Sequence, residues 1–194
     1  MLVDLGLCLF AVVALIQLGL VVDYYLVNNR KLKFKITVFL ALGIGTVAIA
    51  QMIWGLFNLK IGRELTILAS LGFFVPLLID QKLAKSLVAQ IGGLVGDIKA
   101  IRRPLAFWLL ILIVPVTIAT FLHTPWGDDA YERWLAKANY FFVDGQISKQ
   151  NLYLAEPNDD PVLWPLTASW LYHILGKSSE FWVQIIPLVV FLLL

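Results

Sequence analysis

Two acidic groups in the sequence have the residue types and spacing for chemistry: the adjacent pair Asp128 and Asp129, and the cluster Glu156, Asp159 and Asp160. Neighbouring carboxylates can take a proton from an acceptor hydroxyl, or hold a divalent cation that neutralises phosphate. Arg133 follows the first pair and adds a cation for an anionic substrate. A purely structural reading stands beside this one. Asp128 would cap a helix, while Asp129 complements its dipole and pairs with Arg133 one turn later. Asp160 before Pro161 likewise has the form of an ordinary helix start, which leaves Glu156 and Asp159 as contributors to an acidic cavity. His123 and His173 read as interface or packing residues. Cys8 is the single cysteine, so no disulfide framework or thiolate metal site is available.

These acids lie in one long segment, His123 to Pro161, with seven acidic and three basic residues. The rest of the chain is different in kind. Hydrophobic residues make up 60% of it and charged residues 14%, whereas about a quarter of a soluble domain is charged. The solvent expected for such a chain is lipid, and the apolar residues come in continuous blocks, which predicts helices and not barrel strands. Six runs are expected as spans: Leu5 to Leu26, Ile36 to Phe57, Leu65 to Ile79, Leu105 to Leu122, Val162 to Gly176, and Phe181 to Leu194. The fold class is therefore all-α, a polytopic transmembrane bundle with one long loop outside the cytoplasm. The last run is shorter than a bilayer needs, so the sequence reads as continuing beyond Leu194. Between the third and fourth runs, Leu87 to Val95 has the character of an interfacial helix.

Lys and Arg collect in cytoplasmic loops. Alternating six spans puts Arg30 to Lys35, Asp80 to Arg103 and Lys177 on one side, with ten of the fifteen basic residues. The N-terminus, the Asn58 to Glu64 turn and the acidic loop fall on the other. Within that loop Tyr131, Trp134, Leu135, Ala138, Phe141 and Phe142 recur at helical spacing, with Glu132, Arg133 and Lys137 elsewhere on the wheel. This predicts an amphipathic helix lying in the headgroup plane. The net charge of +2 gives no indication of a nucleic-acid partner.

The order of these parts is a span, an acidic pair opening an amphipathic helix, the Asp144-Gly145 turn, a Pro-rich entry into a span, then a short turn and another span. It resembles the first external loop of the GT-C glycosyltransferases, the polytopic enzymes that use polyprenyl-phosphate-linked sugars, among them protein mannosyltransferases and aminoarabinose transferases. The resemblance covers Leu105 to Leu194, including Trp170-Leu171-Tyr172-His173-Ile174-Leu175-Gly176. It implies residues 1–104 as additional N-terminal helices and 105–194 as a GT-C-like start. It also implies a catalytic acid at Asp128 or Asp129, a polyprenyl-phosphate sugar donor within membrane lipid, and a place in a bacterial plasma membrane. The chain departs from the family at Asp159-Asp160-Pro161, with Pro165-Leu166 separated from it. It departs again at Gln184-Ile185-Ile186-Pro187, where many relatives carry Arg before the proline. A transporter of lipid-linked sugars or small solutes, and a non-catalytic membrane scaffold, are the alternative readings.

Overall fold

A computed structural model describes residues 1–27, 36–100, 111, 113–120, 134–147 and 162–193. The described residues are helical, with no strand among them. Helix α1 spans Leu2–Val22 and runs on through a π-turn, Asp23–Val27. Helix α2 spans Ile36–Leu56. Both are apolar on all sides, as helices surrounded by lipid are. Leu9, Val13, Ile49 and Ile53 are each about half exposed on their outer faces.

The two helices form an antiparallel hairpin whose register is fixed by glycine. A Cβ on Gly19 would run into the backbone of Phe39, and one on Gly43 into the backbone of Leu15. Leu15 and Gly19 are one turn apart on α1, as Phe39 and Gly43 are on α2, so two backbone crossings lock one register. Small residues do this in membranes because helix association there rests on close packing and not on the hydrophobic effect.

After α2 the chain turns at Asn58 and enters α3, Arg63–Gly72. The third run is broken at Phe73 and Phe74, and α4, Val75–Ile79, resumes with Pro76 in its first turn, where its missing N–H costs nothing. Phe74 stacks on Phe10 with ring centroids 6.3 Å apart. At Asp80 the chain turns by 96° into α5, Gln81–Ala100, which contains the stretch Leu87 to Val95. The Asp80 carboxylate accepts from the amides of Lys82 at 2.9 Å and Leu83 at 3.2 Å, capping α5. Tyr25 also donates to it, at 3.2 Å, so the third run crosses from the end of the bundle with Met1 to the end with Tyr25.

Residues 113–120 of the fourth run are helical, and the remainder of that run, except residue 111, lies outside the described residues. Beyond it come α6, Ala136–Asp144, α7, Leu163–Leu175, α8, Glu180–Val183, and α9, Ile185–Leu193. Helix α7 is the centre of the molecule. Every residue from Pro165 to Leu175 is buried, and α7 touches α1, α2, α3, α6 and α8.

The position of α7 corrects the expected alternation. Val162 and Leu166, at its start, share one apolar cluster with Ile147, Phe141 and Ala48. Gln51 of α2, about one and a half turns from the end of that helix, donates from Nε2 to the Leu166 carbonyl at 2.9 Å. At the other end of α7, a Cβ on Gly176 would meet the Arg63 guanidinium at 2.9 Å. Lys177 Nζ lies 2.9 Å from Asp4 Oδ2. Both ends of α7 therefore lie toward the Met1 end, so the fifth run does not cross. The Lys177 turn sits with the N-terminus and the Asn58 to Glu64 turn, not opposite them. The sixth run is reversed in consequence: it ends where Thr37 Oγ1 donates to the Leu193 carbonyl at 2.7 Å, near the Tyr25 end. By length and composition two helices, Leu2–Leu26 and Ile36–Leu56, suffice to cross a membrane, and the bent pair Arg63–Ile79 with Gln81–Ala89 would make a third.

Candidate functional site

Asp128, Asp129, Arg133, Glu156, Asp159 and Asp160 all lie outside the described residues. The structure does describe what holds the two ends of their segment. On one side α6 begins seven residues after Asp129. It closes at Gly145, whose φ of 62° is the left-handed conformation that suits glycine at a helix C-terminus. There the Ile61 amide donates to the Gly145 carbonyl at 2.6 Å. Gln146 Nε2 donates to the Asn58 carbonyl at 3.4 Å, and a Cβ on Gly55 would meet Ile147 at 2.8 Å. The acidic segment is thus stitched to the α2–α3 turn at the Met1 end. On the other side α7 begins with Val162 at its N-cap and no side-chain cap, so its start lies two residues beyond the expected Asp160 cap.

The expected amphipathic helix exists as α6, with one broad face against protein and Tyr140 and Val143 exposed on the other. Leu135, Ala138 and Phe141 are buried against α7 and its neighbours. Lys137, expected on the polar face, is only 1% exposed. A wheel drawn for a narrow apolar side misses this, because the covered face of α6 is broad and a Lys stem is itself apolar.

Around α7 lies a buried polar set, of which the sequence pattern singled out only His173, as an interface or packing residue. His173 is 3% exposed, and its ring meets Phe142 edge-on with centroids 5.1 Å apart. Its imidazole hydrogen-bonds the Phe141 backbone. That bond uses Nδ1, since Nε2 has no partner, and it satisfies one of the last carbonyls of α6. A donating Nδ1 leaves Nε2 as a lone-pair acceptor. Ser169, one turn earlier on the same face, has a buried hydroxyl without a partner, and so does the Oε1 of Gln51. Buried polar atoms are usually paired, so a group of this kind is either a cost to the fold or part of a site. The available signal in the sequence was the Ser169 and His173 spacing of four residues inside an apolar run.

A groove of about 180 Å³ runs between α2 and α3. Its floor includes Val47, Gln51, Thr66 and Trp170, each under 8% exposed, while Trp54 and Leu65 on the rim are 38% and 40% exposed. The lining is almost wholly apolar. Elsewhere, Asp23 is 8% exposed at the π-turn with its Oδ1 unpartnered. Among the described residues no three His, Cys, Asp or Glu side chains gather as a metal site. No family model, no curated protein and no solved structure matches the chain.

Proposed function

We propose that the chain is a multi-pass membrane glycosyltransferase that moves a sugar from a polyprenyl-phosphate-linked donor to an acceptor outside the cytoplasm, in the plasma membrane of a bacterium. Asp128 or Asp129 activates the acceptor hydroxyl or holds a divalent cation, and Arg133, Glu156, Asp159 and Asp160 contact the substrates. The supporting observation is the anchoring of the segment just after the acidic pair. Helix α6, which begins seven residues after Asp129, docks on α7, and at its far end the Gly145 carbonyl accepts from the Ile61 amide. The basic segments fit that orientation. With Lys177 moved to the Met1 end, nine of fifteen Lys and Arg remain in the two segments assigned to the cytoplasm. Asp128→Asn and Asp129→Asn, each assayed for sugar transfer and for membrane insertion, test the reading. Loss of transfer with normal insertion in at least one variant supports it, and full transfer in both refutes it.

A transporter is the second reading, favoured by the break at Phe73 and Phe74 and by unpartnered polar atoms on α7. Discontinuous helices and buried polar groups mark substrate paths in transporters. Uptake of a solute into liposomes without any transfer product would favour it.

A further inference from the structure

Helix α5 starts beneath the Tyr25 end of the bundle and leaves it sideways. The bend of 96° at Asp80 turns it across the third run, so it runs along the plane of a bilayer that α1 and α2 are apolar enough to cross. Its 20 residues span about 30 Å. Leu83 is fully buried in one cluster with Leu20 of α1 and Phe39 of α2, and Leu87 packs against the same cluster. The side of α5 that carries Leu83 and Leu87 is therefore the side that faces the bundle. Beyond this anchor Val88 is 69% exposed, and a Cβ on Gly92 or Gly96 would meet nothing within 4 Å. Glycine weakens a helix interior, and no packing against the described protein accounts for it here.

The sequence continues this inward side past Leu87. Val88, Ile91, Leu94, Val95 and Ile98 share less than half of the helical wheel with Leu83 and Leu87. Beside a bundle of spanning helices, the side that faces the bundle end also faces the bilayer. Lys82 and Lys85 are exposed and fall on the opposite half of the wheel. From Asp80 to Arg103 the chain carries five basic residues against two acidic ones. A helix with an apolar arc and a basic polar side lies in the interface, where lipid supplies the packing that Gly92 and Gly96 lack. Basic residues held there attract anionic headgroups.

We propose that α5 from Val88 to Ala100 is an anchor lying on a bilayer of anionic phospholipid at the Tyr25 end, with its apolar arc in the acyl boundary. The long stems of Lys82 and Lys85 let their ammonium groups reach the headgroups. Asp80 sets the angle, since it caps α5 while it accepts from Tyr25 of α1. The proposal requires only that α1 and α2 cross the membrane, and it stands whether or not the chain transfers sugar.

The test uses the whole protein with Cys8→Ser and one spin-labelled cysteine at a time, in liposomes of phosphatidylcholine alone or of equal parts phosphatidylcholine and phosphatidylglycerol. Labels at Val88→Cys, Ile91→Cys and Val95→Cys should collide with oxygen, which concentrates in the acyl region. Labels at Ala89→Cys, Gly92→Cys and Gly96→Cys should collide with a water-soluble nickel chelate. Phosphatidylglycerol should raise the oxygen-to-nickel ratio at the first three positions by about twofold or more. Lys82→Gln with Lys85→Gln should abolish that rise while the alternation between the two sides persists. Equal accessibility on both sides, shielding of the first three positions from both reagents by a protein partner, or no response to phosphatidylglycerol overturns the proposal.

Discussion

Lys177 Nζ lies 2.9 Å from Asp4 Oδ2, which ties the turn after α7 to the first turn of α1. The contact is partly exposed, with the Lys177 side chain half accessible, so as an ion pair it adds little to stability. Its value is topological. It places the end of the fifth apolar run on the side where the chain starts. Single cysteines introduced at Asn58 and at Ser178, in a Cys8→Ser background, should react with an impermeant thiol reagent from the same side of sealed vesicles. Labelling from opposite sides would restore the alternating arrangement.

The hairpin of α1 and α2 rests on two glycines with no room for a side chain. Gly43→Leu forces the helices apart at Leu15 and should cost about 3 kcal/mol or more, as severe overpacking does. At Gly45 an added methyl would meet nothing within 4 Å, so Gly45→Ala should stabilise by up to about 1 kcal/mol through helix propensity alone. Thermal melts in detergent separate the two, and similar melts for both variants would contradict the register given above.

Asp80 caps α5. Burial pushes its carboxyl up, but the amides of Leu83 and Lys82 and the hydroxyl of Tyr25 outweigh that and hold it below the ordinary carboxylate value. A carboxyl lowered on folding stabilises fully above its unfolded value of 3.8 and loses that contribution as pH falls through the lower folded value. Acid melts below that pH should therefore steepen for the unaltered protein. Asp80→Asn keeps a capping oxygen and should flatten the dependence, whereas an unchanged acid profile would remove Asp80 as its source.

How far the sequence foretold this arrangement depends on what each signal measures. Hydropathy located α1, α2 and the start of the third run within a few residues, because lipid-facing helices are apolar on all sides. It read α7 as a crossing for the same reason, and wrongly, because hydropathy reports burial and not direction. Protein on every side of α7 selects the same residues that lipid would. Lys137 was misplaced because only the packing of α6 against α7 shows which of its sides are covered. Asp128 and Asp129, legible as chemistry from type and spacing, lie outside the described residues, while His173 was legible only as an interface or packing residue and Ser169 drew no reading at all.

Ser169 carries a buried hydroxyl with no partner. Removing an unsatisfied buried polar group relieves its desolvation, so Ser169→Ala should be neutral or stabilising by up to about 1 kcal/mol. A melting temperature raised or unchanged, with function intact, assigns the hydroxyl to packing. Function lost from a fully folded Ser169→Ala variant would instead make the α7 polar face part of the site and strengthen the transporter reading.

The transferase reading is tested most directly by turnover of the donor. The whole protein in liposomes, supplied with polyprenyl-phosphate-linked sugars and a hydroxyl acceptor, should release polyprenyl phosphate with time. The double variant Asp128→Asn, Asp129→Asn should be slower by about a hundredfold or more, the usual contribution of a positioned base. Equal release by the folded double variant and the unaltered protein, or no release by either, would contradict the account.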